Sequence, residues 1–378
     1  MLQILVIDDD LVMQMILKNT LQAQKYEVIV ATNGREGISL AKQHQPALII
    51  CDWMMPEIDG LEVCRQIKLD HSLYSTIFIL LTSKGAVEDK VQALDNGADD
   101  FLSKPIDKTE LIASVRAGLR IYQLNKDLQL QKQLLEAELA EARDYIQSLL
   151  PLPLKGDVSI TAEFIPSSQL GGDCYDFYWL DPDHLAIYLL DTSGHGVGSA
   201  LLSISILNLL RSQSFGKDKF YEPSKIMTEL NHAFQMSQHN GRYFTMWYGV
   251  YKRSQRKLIY ANSGHPQGIL IAGSPENHHI QELPSLDIPV GFFPDIEYRS
   301  SEILIPSDSK LYIFSDGIFE VMQEDGRIWG MPKFFNYLVQ QFSLSEEISA
   351  SSVLQKIHSE TPNAKFGDDV SLLQINFP

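Results

Sequence analysis

Basic residues are scarce. Lysine and arginine total 31 against 48 aspartates and glutamates, a formal net charge of −17 at pH 7 over 378 residues. A DNA-gripping output needs clustered basic side chains, and no basic stripe with interleaved aromatics runs through this chain, so no nucleic-acid partner is expected. Cysteine is rarer still: Cys51, Cys64 and Cys174 have no metal-type spacing and read as reduced, buried thiols. No apolar run approaches the ~18 residues of a membrane span, and Met1-Leu2-Gln3 leads straight into a strand-like run. No membrane partner, no signal peptide and a cytoplasmic location are therefore expected. Internal repeats and low-complexity tracts are absent, and the length allows two or three domains.

What is present is acid in four short strings: Gly171-Gly172-Asp173-Cys174-Tyr175-Asp176, Asp191-Thr192-Ser193-Gly194-His195-Gly196, Ser315-Asp316-Gly317 and Gly367-Asp368-Asp369. Each touches an apolar run, such as Leu185 to Leu190 before Asp191 and Leu311 to Phe314 before Ser315, and such runs read as buried strands. Any one Asp-Gly pair taken alone is an ordinary turn. Four carboxylates at the ends of buried strands converge, and like charges so held need cations. Oxygen ligands select Mg²⁺ or Mn²⁺. Two such ions side by side are a device for hydrolysing a phosphate ester with activated water.

From about Pro151 to Pro378 these strings, together with Phe244-Thr245-Met246-Trp247-Tyr248-Gly249-Val250, Tyr260-Ala261-Asn262-Ser263-Gly264-His265-Pro266 and Pro289-Val290-Gly291, resemble a PPM-type protein phosphatase. The likeness is to the bacterial SpoIIE/RsbU kind, related to protein phosphatase 2C. It implies an α+β β-sandwich flanked by helices, and serine/threonine phosphatase activity that depends on two Mn²⁺ or Mg²⁺ ions. By position it implies Asp173, Asp191, Asp316 and Asp368 as metal ligands, with the backbone carbonyl of Thr192; Asp369 remains the alternative to Asp368. Asp176 reads as an outer acid rather than a ligand. His195 reads either as the proton donor to the leaving oxygen or as a turn histidine, and His265 as structural. Eukaryotic relatives carry an arginine that grips the substrate phosphate; residues Glu163 to Leu170 contain no basic residue, as in the bacterial members.

A second acidic site is legible near the start. Leu2 to Ile7 is an apolar run ending in Asp8-Asp9-Asp10; Ala47 to Cys51 ends in Asp52; Ile77 to Leu81 ends in Thr82; Asp100 to Ser103 ends in Lys104-Pro105. Helix-period stretches lie between them, for example Val12, Ile16, Leu17 and Leu21. Alternating strands and helices predict a doubly wound parallel sheet, whose ligands bind at the carboxyl ends of strands. Taken alone, Asp8-Asp9 reads as a helix cap. The combination, in residues 1 to about 120, resembles a flavodoxin-like response-regulator receiver domain. That implies Asp52 as phosphoacceptor for a histidine kinase. It also implies Asp8, Asp9, Asp52 and the backbone carbonyl of Met54 as Mg²⁺ ligands, Thr82 and Lys104 as phosphoryl-contacting groups, Phe101 as a switch aromatic, and a cis peptide before Pro105.

From Leu119 to Leu150 there is neither proline nor glycine, and Ile121, Leu124, Leu128, Leu135, Ala142 and Leu149 follow a broken 3,4 spacing. A helical coiled-coil linker and a homodimer are expected, against the alternative of one helix packed on its own domain. The expected domains are 1–120, 121–150 and 151–378. Two functions are compatible with the whole. One is a two-component regulator that dephosphorylates a phosphoserine or phosphothreonine protein; the family resemblance points to a STAS-domain anti-anti-sigma factor. The other is a non-catalytic, phosphorylation-switched module that sequesters a partner. The retention of all four aspartates favours the enzyme.

Overall fold

The computed structural model describes residues 2–82, 94–167, 170–323, 326–344, 350–360 and 367–378. Two compact units are present, Met1–Glu136 and Ala137–Pro378.

In the first unit five short strands, β1 (Gln3–Ile7), β2 (Glu27–Ala31), β3 (Leu48–Asp52), β4 (Ile77–Thr82) and β5 (Asp100–Ser103), form one parallel sheet in the order β2-β1-β3-β4-β5. This is the flavodoxin-like order. Gln3 aside, the central strands β1, β3 and β4 are apolar up to the polar residues Asp52 and Thr82 at the carboxyl ends of β3 and β4, because both faces are covered. Leu5, Ile7, Ile49 and Cys51 enter one core, and Ile4, Val6, Leu48 and Ile50 enter the other. Helix α1 (Leu11–Ala23) is capped by Asp10, whose carboxylate accepts the Val12 N–H at 2.8 Å. Asp8 and Asp9 are thereby released from capping. Helices α2 (Gly34–His44) and α3 (Gly60–Leu69) are capped by Asn33 and Asp59.

Helix α4 runs unbroken from Lys108 to Leu149. Leu111, Val115 and Leu119 of its first turns are buried in the receiver-like core. Beyond them Ile121, Leu124, Leu128 and Leu135 are 51 to 66 % exposed. The last receiver-like helix and the proline-free linker are one element, and the division between units falls inside it.

The second unit is a sandwich of two antiparallel five-stranded sheets. One has the order β13-β10-β9-β8-β7 and the other β12-β11-β14-β15-β6. Their ranges are β6 Ser159–Ile165, β7 Cys174–Trp179, β8 His184–Thr192, β9 Phe244–Lys252, β10 Lys257–Ser263, β11 Gly268–Ser274, β12 Asn277–Leu283, β13 Ser301–Leu304, β14 Ser309–Phe314 and β15 Val370–Phe377. Strand β8 shows how the layers form. Leu185, Ile187 and Leu189 point between the sheets, whereas Ala186, Tyr188 and Leu190 point at helices α5 (Val197–Arg211) and α6 (Pro223–Ala233). Helix α7 (Met331–Ser343) covers the outer face of the other sheet through Phe334, Leu338 and Phe342, with Ile357 of α8 (Ala350–Glu360) in the same cluster. Each cysteine is buried and unpaired, and burial pushes the Cys174 thiol up to about 12, so it is inert.

Candidate functional site

Two acidic sites stand at strand ends, one in each unit. In the first, carboxylate oxygens of Asp8, Asp9 and Asp52 lie within 4.8 Å of one another. Asp8 and Asp52 are buried and Asp9 is exposed, so the group opens to solvent on one side. Lys104 leans in from the end of β5, with Nζ 2.8 Å from Asp52 Oδ1 and 3.2 Å from Asp8 Oδ2. Burial raises the pKa of Asp52, and the Lys104 bond and charge offset this only in part. Burial pulls Lys104 down, but Asp52 and then Asp8 outweigh it, and its pKa lies above the usual lysine value. The Lys104–Pro105 peptide is cis, as expected, and the Lys104 N–H bonds the Thr82 carbonyl at 2.7 Å. Thr82 is thus held, buried, beside the lysine. Met54 follows in the β3–α3 loop with its side chain exposed, and Phe101 on β5 is half-buried. Gln14, which the sequence did not single out, pins the Asp8 carbonyl at 2.6 Å.

The second site gathers Asp173 before β7, Asp191 near the end of β8, Asp316 after β14 and Asp368 before β15. Asp173 and Asp191 are both pushed well above the usual carboxylate range, by burial first and then by neighbouring acids: Asp191 and Asp369 act on Asp173, and Asp316, Asp368 and Asp369 act on Asp191. Asp316 is pushed up to about 6 by burial, then Glu320, then Asp368. Burial also raises Asp368, while its bond from the Asp369 N–H and the nearby His195 lower it. His195 itself is exposed. The acids are spread over a wider space than the receiver-like trio; among the described residues no three of them come together as Asp8, Asp9 and Asp52 do. Neither oxygen of the buried Asp173 carboxyl has a well-formed hydrogen bond among the described residues, the nearby Ser315 and Ser371 hydroxyls only offsetting its raised pKa in part, and Asp316 Oδ1 has none either. Buried acceptors without well-placed donors, in an oxygen-only set, fit hard divalent cations.

Asp369 is built differently. Its carboxylate accepts N–H bonds from Ser167 at 2.7 Å, from Asp173 at 3.4 Å and from Gly172. It holds the loop that presents Asp173. Gly171 and Gly172 permit this approach. A Cβ on Gly171 would lie 2.6 Å from Asp369 Oδ2, and one on Gly172 would lie 2.6 Å from Thr192 Oγ1 and 2.8 Å from the Thr192 carbonyl oxygen. The Thr192 hydroxyl meets the Gly172 carbonyl at 3.1 Å and the Ser199 carbonyl at 3.2 Å, tying this loop to α5.

Two side chains differ from the sequence reading. Asp176 takes no part in the acid group: its carboxylate accepts the Arg211 Nε–H at 2.6 Å, because strand β7 turns it toward α5. Glu320, which follows Asp316 by one turn, was missed; a short 3₁₀ turn at Asp316–Ile318 is what brings it near. His265 is structural as expected: buried, bonded through Nδ1 to Thr245 Oγ1 at 2.8 Å, and held neutral by burial with its pKa pulled down to about 3.

Comparison with known proteins fits this division. A family model described as Stage II sporulation protein E (SpoIIE) matches residues 181–378, just over half of the chain, and one described as response regulator receiver domain matches residues 4–116. The chain is 31 % identical over 188 residues to the phosphoserine phosphatase RsbP of Bacillus subtilis, covering 48 % of this chain and 45 % of that protein. It is 42 % identical over 118 residues to the DNA-binding dual master transcriptional regulator RpaA of Synechocystis, covering 31 % of this chain and 49 % of that protein. The chain thus spans about half the length of the curated relatives it matches. Among solved structures, the SiaA-PP2C domain of Pseudomonas aeruginosa shares the fold, with a TM-score of 0.56 at 20 % identity over 66 % of this chain and 99 % of that one. None of the described helices is long and apolar enough to cross a membrane. The chain belongs to the SpoIIE family, and it carries a response-regulator receiver domain ahead of its SpoIIE region.

Proposed function

We propose that this chain is a two-component response regulator whose output is metal-dependent hydrolysis of a phosphoserine or phosphothreonine protein. The observation that carries the reading is the gathering of Asp173, Asp191, Asp316 and Asp368 at strand ends, where the acids raise one another's pKa and where both oxygens of Asp173 and one of Asp316 have no well-formed hydrogen bond among the described residues. A phosphoserine phosphatase among the relatives supports the reaction class. Dications bound there would neutralise the phosphoryl charge and acidify an attacking water. The protein's own part is to hold four carboxylates and the Thr192 carbonyl rigid, and to place His195 near the Asp368 side of the site, where it can donate a proton to the leaving oxygen. Mn²⁺-dependent hydrolysis of p-nitrophenyl phosphate, abolished by chelation, tests the reading. No hydrolysis in Mn²⁺ or Mg²⁺ would favour the non-catalytic sequestering module.

Asp368 is the better ligand and Asp369 the better scaffold. Asp369→Ala removes the acceptor from three loop N–H groups, and a loss of about 3 kcal/mol is expected, given ~1–3 kcal/mol for each buried donor left unmet. Asp368→Ala should abolish hydrolysis with little loss of stability. Urea denaturation of both variants decides; equal destabilisation by the two would reverse the assignment.

In the receiver, Asp52 is proposed as the phosphoacceptor for a histidine kinase. Asp8, Asp9 and the Met54 carbonyl would complete a Mg²⁺ site with it, and Thr82 and Lys104 would contact the phosphoryl oxygens. Domains of 1–120, 121–150 and 151–378, a cytoplasmic location and a STAS-domain substrate remain part of the proposal. So does a homodimer, supported by the exposed Ile121, Leu124, Leu128 and Leu135 on α4.

Helix α4 is proposed to transmit the state of Asp52. Inserting Gly-Gly-Ser-Gly near Leu130 should leave basal hydrolysis intact and erase its response to beryllofluoride. An insert that responds like wild type would make the helix a passive spacer.

A further inference from the structure

Beside the second acidic site lies a cleft that this reaction does not account for. It has a volume of about 310 Å³ and is lined by Gly198, Leu201, Leu202, Phe234, His239 and Arg242, among others. Among the described residues no carboxylate lines it, although the chain carries a net charge of −17. Its position follows from the fold. Ser193, two residues after Asp191, exchanges bonds with Tyr243: the Ser193 N–H donates to the Tyr243 carbonyl at 2.9 Å, and the Tyr243 N–H donates to Ser193 Oγ at 3.1 Å. Arg242 is therefore fixed one residue from a clamp on the acid-bearing loop. The segment before it is closed by left-handed Asn240 and Gly241, and by the Gly241 N–H on the Met236 carbonyl at 2.8 Å.

The Arg242 guanidinium sits against Gly198 in the first turn of α5. A Cβ on Gly198 would stand 2.5 Å from its Nη2 and 2.7 Å from its Cζ, so any larger residue there would push the guanidinium out of this position. Elsewhere in this unit arginines are spoken for. Arg211, Arg253 and Arg299 hold Asp176, Asp157 and Asp287, and Arg256 holds the carbonyls of Ile305 and Pro306. The Arg242 guanidinium has no hydrogen bond or ion pair among the described residues. Next to it Val197 and Leu201 are exposed, which supplies an apolar edge.

We infer that this cleft docks the segment of the protein substrate flanking its phosphorylated residue, with a carboxylate of that segment on Arg242 and an apolar side chain against Leu201 and Phe234. The inference rests on the phosphatase reading and adds to it the kind of partner surface: acidic around the phosphoserine, with an apolar neighbour. An unpaired guanidinium beside apolar surface is complementary to an acidic segment with an apolar neighbour.

The test uses the full chain and two fluorescent phosphoserine peptides, one with glutamates on both sides of the phosphoserine and one with lysines. Wild type should turn over the acidic peptide with kcat/KM about fivefold higher, as an ion pair worth about 1 kcal/mol at a partly exposed site gives, mostly through KM. Arg242→Glu should invert the preference, and Gly198→Ala, which displaces the guanidinium, should abolish it. p-Nitrophenyl phosphate has no flanks, so its kcat/KM should stay within about twofold of wild type in both variants. The inference is overturned if wild type ignores the flanks or if Arg242→Glu keeps the wild-type preference. Loss of p-nitrophenyl phosphate turnover in the variants would overturn it too, by placing Arg242 in the chemistry. If wild type hydrolyses nothing, the phosphatase reading fails instead. Fluorescence anisotropy of the same peptides in EDTA then decides the docking alone: a preference for acidic flanks that inverts in Arg242→Glu upholds it, and equal binding sinks it.

Discussion

Asp316→Asn is expected to lower metal-dependent phosphate-ester hydrolysis by on the order of 10³-fold, the scale for losing one element of transition-state charge stabilisation, while leaving the fold intact. The side chain stands after β14 where burial, Glu320 and Asp368 have already pushed its pKa up to about 6. A group so crowded by like charge is held for what it binds rather than for what it contributes to folding. Asparagine has the same shape but removes one negative charge from a site meant to hold two dications. Asp316 Oδ1 has no hydrogen-bond partner among the described residues, and the Gly317 and Asp316 N–H groups that favour the carboxylate can still donate to the asparagine oxygen. The metal-free variant should therefore be at least as stable as wild type. Activity across a Mn²⁺ titration, read beside circular dichroism and a thermal melt, checks both halves. Near-wild-type turnover at ordinary Mn²⁺ would remove Asp316 from the site. A variant that is inactive because it is unfolded would contradict the structural half.

Asp52→Asn should abolish phosphorylation of the receiver by acetyl phosphate, since an amide cannot act as the attacking carboxylate. The geometry leaves little room for a substitute. Asp8 is engaged on both oxygens, by the Asp10 N–H at 2.9 Å and by Lys104 at 3.2 Å, and Asp9 is exposed at the rim. Lys104, 2.8 Å from Asp52 Oδ1, is placed to follow the phosphoryl oxygens once the carboxylate carries them. The measurement is incorporation of acid-labile, base-labile phosphate in the presence of Mg²⁺. Persistent labelling of the variant on an acyl phosphate would identify another acceptor.

Much of this was legible in the sequence, for physical reasons. Runs such as Ile4 to Ile7 and Leu185 to Leu190 are apolar at every position because layers cover both faces of each sheet. Their ends therefore marked where acids must gather. The proline- and glycine-free stretch after Gly118 forecast an unbroken helix, and α4 is that helix. What escaped was set by long-range pairing. The role of Asp369 follows from β15 lying beside β6, with Val370 opposite Ile165; that pairing brings Asp369 to Gly171 and Gly172, some 200 residues earlier in the chain. Asp176 shares a string with Asp173, yet strand alternation sends it to Arg211. Arg242 stands in a loop without periodicity, and only the fold shows that Gly198 lies beneath it.

The central claim is that the state of Asp52 governs hydrolysis at the Asp173–Asp191–Asp316–Asp368 site. The most direct measurement is the rate of phosphoserine-peptide hydrolysis by the full chain in Mn²⁺, with and without beryllofluoride, in wild type and in Asp52→Asn. The expected result is Mn²⁺-dependent turnover in both proteins, with a wild-type rate that changes about 5- to 150-fold on beryllofluoride, the range of ordinary coupling free energies, and a variant rate that does not change. A wild-type rate unmoved by beryllofluoride, or a variant that responds equally, would contradict it.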